Sequence, residues 1–158
     1  FRTHGIYSVG MRFFTVYGPW GRPDMAPWLF TEAGVKNKKI QVFNYGRQTR
    51  DFTYITDIVE KIFVINSNFE NIIQDAIILN LGNGSPEELG TFISEIEHSL
   101  DLKLEKEMVA AHVGDVSHTY SSTRRFRELF GESGSPTSLK EGIKRFVQWY
   151  KDYNGILK

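Results

Sequence analysis

The segment Ala76 to Leu81, Ala-Ile-Ile-Leu-Asn-Leu, does most to restrict how this chain can fold. A near-continuous apolar run of strand length is the pattern of a strand buried on both faces, as in a parallel sheet covered by helices. Parallel strands need crossover connections long enough to hold a helix, so the run calls for an α/β architecture. Gly82-Asn83-Gly84 ends the strand, and Ser85-Pro86-Glu87-Glu88 reads as a capping box with proline at the first helical position. The helix predicted to follow runs to about Ser99 and turns Leu89, Phe92, Ile93 and Ile96 inward.

The remaining segments fit the same mixed order. Tyr7 to Phe14 is a strand rich in aromatic residues, and Thr15 to Met25 an ordered loop stiffened by Gly18, Pro19, Gly21 and Pro23. Asp24 is positioned to cap a helix from about Ala26 to Asn37, with Pro27 tolerated in its first turn. Ile40 to Phe43 is a short strand closed by the turn residues Asn44-Tyr45-Gly46. Arg50 to Ile55 alternates polar and apolar residues as a second short strand. Thr56 then caps a helix from Asp57 to about Asn66, with Ile58, Ile62 and Ile65 on one face. Leu104 to Val109 is a weaker strand and Thr123 to Phe130 a short helix. Ser138-Leu139-Lys140-Glu141 forms a second capping box, opening a last helix on which Leu139, Ile143, Phe146, Val147 and Tyr150 recur at helical spacing. With no repeat and no linker, residues 1–158 read as one domain. The opening Phe-Arg-Thr-His-Gly-Ile-Tyr reads as the last turn of a helix stopped at Gly5, so a longer parent chain is expected.

Composition narrows the function. Lysine plus arginine equals aspartate plus glutamate at 19 each, which points away from nucleic acid and from membrane surfaces. No apolar run approaches the ~20 residues of a membrane span, and no signal peptide is visible. Cysteine is absent, which removes disulfides and thiolate metal sites and fits a cytoplasmic location. His4, His98, His112 and His118 have no metal-ligand spacing, so no metal is expected. Neither a Gly-x-Ser-x-Gly elbow nor a Gly-x-Gly-x-x-Gly dinucleotide loop is present; Gly82-Asn83-Gly84 supplies only the first two glycines of the latter.

Three places can hold an anion or a sugar. Ligands in open α/β sheets sit beyond the carboxyl ends of strands, and Arg22 stands in such a loop, on a stiff mount, able to grip a carboxylate or phosphate with two parallel hydrogen bonds. The alternative is a surface loop in which Arg22 pairs with Asp24. Arg50 can face a phosphate with Asp51 orienting it, or the two can form an ordinary surface pair of little energetic weight. Asp115, in His112-Val113-Gly114-Asp115-Val116, can accept from ribose hydroxyls or serve as a turn aspartate.

Taken in order, these segments resemble one family. Arg12-Phe13-Phe14-Thr15-Val16-Tyr17-Gly18-Pro19-Trp20-Gly21-Arg22-Pro23-Asp24-Met25-Ala26 is similar to the signature of UDP-glucuronate 4-epimerases, members of the extended short-chain dehydrogenase/reductase superfamily. Arg50-Asp51-Phe52-Thr53-Tyr54-Ile55 with Asp57-Ile58-Val59, then Gly114-Asp115-Val116 with Tyr120, and the ending from Thr137 to Tyr150 match its later blocks. Two places depart from the pattern: His112-Val113 stands where related epimerases carry Gln-Pro or Arg-Pro, and Ser121-Ser122 replaces Ala-Asp, with Arg124-Arg125 nearby as a substitute contact.

The resemblance implies an NAD-dependent enzyme that takes hydride from C4 of a UDP-sugar, lets the 4-keto sugar rotate and returns the hydride to the other face. It implies that the glycine-rich NAD loop and the catalytic Tyr-x-x-x-Lys pair lie upstream, so no catalytic residue is expected here and the chain alone is expected to be inactive. Thr15 and Arg22 would contact the sugar carboxylate, Phe14 would lie near the nicotinamide, backbone around Gln41, Val42 and Phe43 would hold uracil, Arg50 would reach the diphosphate and Asp115 the ribose. On this reading Arg22 shares one cleft with Arg50 and Asp115. A cation on the carboxylate also opposes decarboxylation of the β-keto acid intermediate, because it favours the state in which charge stays on the carboxylate.

The implied fold is the C-terminal part of a Rossmann-type epimerase: late parallel strands plus a small mixed α/β substrate lobe. Bare strand edges and apolar faces are then expected to drive self-association, while the parent would be a homodimer. Two rivals stand beside this reading. One is a UDP-glucuronate decarboxylase or a 4,6-dehydratase, enzymes that usually carry asparagine in place of Thr15. The other is a non-catalytic nucleotide-sugar binding fragment.

Overall fold

The structure, a computed structural model, describes residues 1–72, 76–111, 114–132 and 134–156. His112 and Val113, and with them one departure from the epimerase pattern, lie outside the described residues.

In chain order the elements are β1 (Ser8–Phe13), β2 (Thr15–Tyr17), α1 (Ala26–Val35), β3 (Ile40–Val42), a 3-10 turn (Phe43–Gly46), β4 (Thr49–Arg50), β5 (Phe52–Tyr54), α2 (Ile55–Ser67), α3 (Phe69–Ile72), β6 (Ala76–Leu81), β7 (Glu87–Glu88), α4 (Leu89–Leu100), β8 (Lys106–Met108), α5 (Arg124–Phe130) and α6 (Leu139–Tyr153). The strands pair two by two. β1 lies parallel to β6, β2 to β5 and β3 to β8, whereas β4 and β7 run antiparallel. Residues 1–5 form one turn closed by the Gly5 N–H on Phe1 O at 2.7 Å, with Gly5 at φ 66°.

Two apolar cores divide the work. The larger gathers Tyr17 of β2, Phe52 of β5, Phe30 of α1, Phe92 and Ile96 of α4, and Ile143 and Phe146 of α6. Phe52 stacks on Phe92 at 4.3 Å between ring centroids, and Tyr17 meets both edge-on. The second core lays Ile58 and Ile65 of α2 and Phe126 of α5 over Leu79 and Leu81 of β6. The predicted inward faces of α2, α4 and α6 are thus the packed ones, because 3.6-residue spacing fixes which side chains share a face whatever the partner.

Several boundaries differ from the sequence expectations. β6 is buried on one face: Leu79 and Leu81 are fully enclosed while Ile78 is 50% exposed, since helices cover one side of the β1–β6 pair. The box at Ser85–Glu88 does not open a helix. Glu87 and Glu88 form β7 against Thr49 and Arg50, and α4 starts at Leu89, whose N–H is taken by Gln48 O at 2.9 Å. Asp24 does not cap α1 and Thr56 does not cap α2; the cap positions are Met25 and Tyr54, without side-chain bonds. The stretch from Arg50 to Ile55 does not alternate. Phe52, Thr53 and Tyr54 are all buried, because β5 is enclosed between β2 and the helices of the larger core. The box at Ser138 does form, its Oγ accepting from the Glu141 N–H at 3.3 Å.

Candidate functional site

β4 ends on Arg50, and the guanidinium is held from three sides. Nη1 donates to Thr49 O at 2.9 Å and to Ser117 O at 3.4 Å, and Nη2 donates to Asp115 Oδ1 at 3.0 Å. Thr49 keeps the 117–119 segment in place: its N–H donates to Ser117 O at 3.0 Å, its carbonyl accepts from Thr119 N–H at 3.2 Å, and its Oγ1 is 2.9 Å from His118 Nδ1. Two of the sequence candidates, 65 residues apart, therefore stand side by side. Asp115 accepts from Arg50 rather than serving only its own turn.

Asp51 does not orient Arg50. Its carboxylate turns inward, fully buried, and gathers the N–H groups of Asn83 (2.8 Å), Gly84 (2.9 Å) and Ser121 (2.9 Å), with Thr53 Oγ1 donating at 3.3 Å. Beside it the buried Lys61 ammonium donates to Gly82 O at 2.5 Å; burial lowers its pKa, partly offset by Asp57 and Asp51. Asp51 is the residue that sequence reasoning misread. The available signal was a charge heading the run Phe52-Thr53-Tyr54, where an inward side chain must find buried donors. These bonds also commit the Asn83 and Gly84 amides, so that turn does not fit a dinucleotide pyrophosphate.

Among the described residues β3 pairs with β8 alone, on one of its two edges. Ile40 N–H donates to Glu105 O at 2.9 Å and Val42 O accepts from Val109 N–H at 3.0 Å, so residues 40 and 42 face β8. Alternation along a strand then turns the N–H and C=O of Gln41 to the opposite side. Asn44 and Tyr45 follow at φ 48° and 53° and bend the chain sharply after Phe43, as the turn residues require.

Arg22 lies in a different place from Arg50. Nε and Nη2 bond both carboxylate oxygens of Asp24 at 3.0 and 2.6 Å, and the pair is solvent-exposed. That bond to Arg22 holds the Asp24 carboxyl below its ordinary pKa. Arg22 lines an apolar cavity of about 550 Å³ with Phe13, Phe14, Trp20 and, from α2, Ile58 and Ile62. Thr15 leaves that wall: its N–H bonds Asp51 O at 3.1 Å and starts β2. Arg50 is not among the residues lining this cavity. The reason lies in the register. β2 runs parallel to β5 with Thr15 opposite Phe52, so Arg50 stands at the amino end of this pair and Arg22 beyond its carboxyl end.

Other candidates turn out otherwise committed. Arg124 pairs with Glu128 at 3.2 Å and Arg125 donates to Ile78 O at 3.4 Å. Burial, then the Asp57 and Tyr54 charges, push the Tyr17 phenol well above its usual range. Among the described residues no helix is long and apolar enough to cross a membrane, and no acidic, histidine or cysteine cluster of three could hold a metal.

Parallel strand pairs under helices, with loops at their carboxyl ends carrying a guanidinium and an aromatic wall, define an α/β chain of Rossmann-like epimerase architecture. Residues 1–82 match the NAD dependent epimerase/dehydratase family, and the chain belongs to that family. It is 40% identical over 95% of its length to an uncharacterized 37.6 kDa protein of Escherichia coli O111:H-, covering 49% of that protein. UDP-glucuronate 4-epimerase 2 of Arabidopsis thaliana is 38% identical over 95% of this chain and 37% of its own length. The Bacillus cereus UDP-glucuronic acid 4-epimerase, solved in complex with UDP-glucuronic acid and NAD, superposes with a TM-score of 0.81 at 30% identity, covering 90% of this chain and 45% of that one. The chain thus spans about half the length of the curated relatives it matches.

Proposed function

We propose that this chain is the substrate-binding part of a nucleotide-sugar epimerase that interconverts UDP-glucuronate and UDP-galacturonate. The observation that carries this is the Arg50 guanidinium, half-buried and oriented by Thr49 O, Ser117 O and Asp115. A cation held by carbonyls and one carboxylate is preorganised for a diphosphate, and Asp115 has a second oxygen with which to meet a ribose hydroxyl. The outward peptide edge at Gln41, with Val42 and Phe43 in the same strand and turn, offers a uracil its donor and acceptor.

Arg22 serves the sugar carboxylate on this reading, whereas Thr15 stands at the Arg50 end of β2, off the wall that Arg22 lines. With the phosphates held at Arg50, the C6 group is the part of the ligand that would reach Arg22. The carboxylate replaces Asp24 on the guanidinium, an exchange that costs little because an exposed ion pair is weak. Phe14, on the wall of the Arg22 cavity, gives an aromatic face fit to lie beside a nicotinamide. NAD, when bound, supplies the reversible hydride transfer at C4. The names of the relatives favour the uronate over a neutral sugar, and Thr15, where decarboxylases and dehydratases usually carry asparagine, favours epimerisation over their reactions.

Calorimetry tests this with UDP, UDP-glucose and UDP-glucuronate. The chain should bind UDP, and Arg50→Ala should weaken that binding about tenfold or more. Arg22→Ala should leave UDP binding unchanged while weakening UDP-glucuronate about tenfold. Equal affinity of wild type and Arg22→Ala for UDP-glucuronate would remove the uronate assignment.

A further inference from the structure

Trp20 occupies a position that its backbone disfavours. Gly21 N–H donates to Gly18 O at 3.2 Å, closing a four-residue turn with Pro19 second and Trp20 third, and Trp20 has φ 63°. Proline fixes its own φ near −65°, so this is a type II turn, whose third residue needs positive φ and is normally glycine or asparagine. A bulky aromatic there is strained, and strain of this kind persists where the side chain serves a purpose the surroundings enforce.

The indole's contacts indicate the purpose. Trp20 meets Trp149 at 5.5 Å and Tyr153 at 5.3 Å between ring centroids, both on the last turns of α6. Trp28, in the first turn of α1, meets the same two rings at 5.8 and 6.2 Å. Trp149 and Tyr153 are themselves stacked at 5.3 Å, so they act as one anchor. Arg22 lies between Trp20 and Trp28 in the chain, and the segment carrying it is therefore fastened at both ends to one aromatic platform. Glycine's freedom at the turn would let the leading end swing, whereas Trp20 ties it down. The residue is 76% exposed, so burial of the indole is not what its position secures.

We infer that Trp20 is the positioning residue of Arg22, and that the Trp149–Tyr153 face of α6 sets the preference for a charged sugar by fixing the course of residues 20–28. This rests on the reading of Arg22 as the carboxylate contact.

The experiment measures UDP, UDP-glucose and UDP-glucuronate binding to the full chain and to Trp20→Gly, Trp20→Phe, Tyr153→Ala and Arg22→Ala. Trp20→Gly keeps a residue the turn accepts but drops the anchor. It should bind UDP as wild type does and lose about tenfold of the preference for UDP-glucuronate over UDP-glucose. Trp20→Phe should restore most of that preference, and Tyr153→Ala should reproduce the loss from the other side of the contact. In nuclear magnetic resonance spectra without ligand, the Arg22 Nε–H signal, displaced by its bond to Asp24, should collapse toward the free-guanidinium position in Trp20→Gly. If Trp20→Gly keeps both the preference and the displaced signal while Arg22→Ala loses the preference, the positioning role is refuted and the uronate reading survives. If wild type shows no preference, or Arg22→Ala keeps it, the uronate reading fails and this inference with it.

Discussion

Arg50 Nη2 donates to Asp115 Oδ1 at 3.0 Å across 65 residues of chain. The contact exists because Thr49 forms a parallel bridge to His118, drawing the 115–119 segment along β4. The proposed phosphate site is in this way assembled from two pieces of sequence, neither of which is a site by itself.

The geometry of that site calls for a guanidinium rather than any cation. Arg50 reaches Ser117 O, Thr49 O and Asp115 through the fork of one planar group. An ammonium on a flexible stem does not reproduce the fork. Arg50→Lys should therefore lose most of what Arg50→Ala loses, about tenfold in UDP affinity by calorimetry. Wild-type affinity in Arg50→Lys would mean that only charge matters there.

Asp51 should matter for stability far more than for charge recognition. Removing its carboxylate strands the N–H groups of Asn83, Gly84 and Ser121 in a buried place. Asp51→Ala should cost about 3–5 kcal/mol in chemical denaturation. Asp51→Asn, which keeps one acceptor oxygen, should fall between alanine and wild type.

Glu97 gives the fold a definite acid response. Burial raises its pKa, but the Lys106 ammonium at 2.6 Å, the Leu104 N–H at 2.9 Å and the Lys103 ammonium at 3.0 Å outweigh burial, and the carboxyl sits at about 2 against an ordinary 4.5. A folded pKa below the unfolded one contributes stability that is present above 4.5 and lost as pH falls toward 2. Glu97→Gln should thus be less stable than wild type at neutral pH, with the gap closing across that window. A gap that stays constant from pH 7 to 3 would contradict the assignment.

Self-association is expected through the β1–β6 pair. Among the described residues β6 is the one strand paired with β1, and Met11, Phe13 and Ile78 stand 37, 51 and 50% exposed. A bare strand edge with apolar neighbours invites pairing, and the balance of 19 positive against 19 negative residues leaves little net repulsion to resist it. Sedimentation at micromolar concentration should show species heavier than a monomer, and Ile78→Lys with Met11→Lys should shift them toward monomer. A wild-type chain that sediments as a monomer would disprove this.

The three long amphipathic helices were legible because helical periodicity is local. Ile58 and Ile65, Phe92 and Ile96, and Ile143 and Phe146 all face the cores their spacing foretold. Their starts were less legible. The motif at Ser85–Glu88 is a sound cap by composition, but β4 claims Glu87 and Glu88 as a strand partner, and a tertiary bond outweighs a local one. The same competition explains Asp24, whose carboxylate is spent on Arg22 instead of on α1.

By itself the sequence determined the α/β class, the family resemblance and the identity of the groups that can meet an anion, because side-chain chemistry and short-range periodicity are properties of neighbours in the chain. Only the tertiary structure decided that Arg50 meets Asp115, that Asp51 turns inward, and that Arg22 and Arg50 occupy opposite ends of the β2–β5 pair. Those facts depend on strand register, which is fixed by contacts between residues dozens of positions apart.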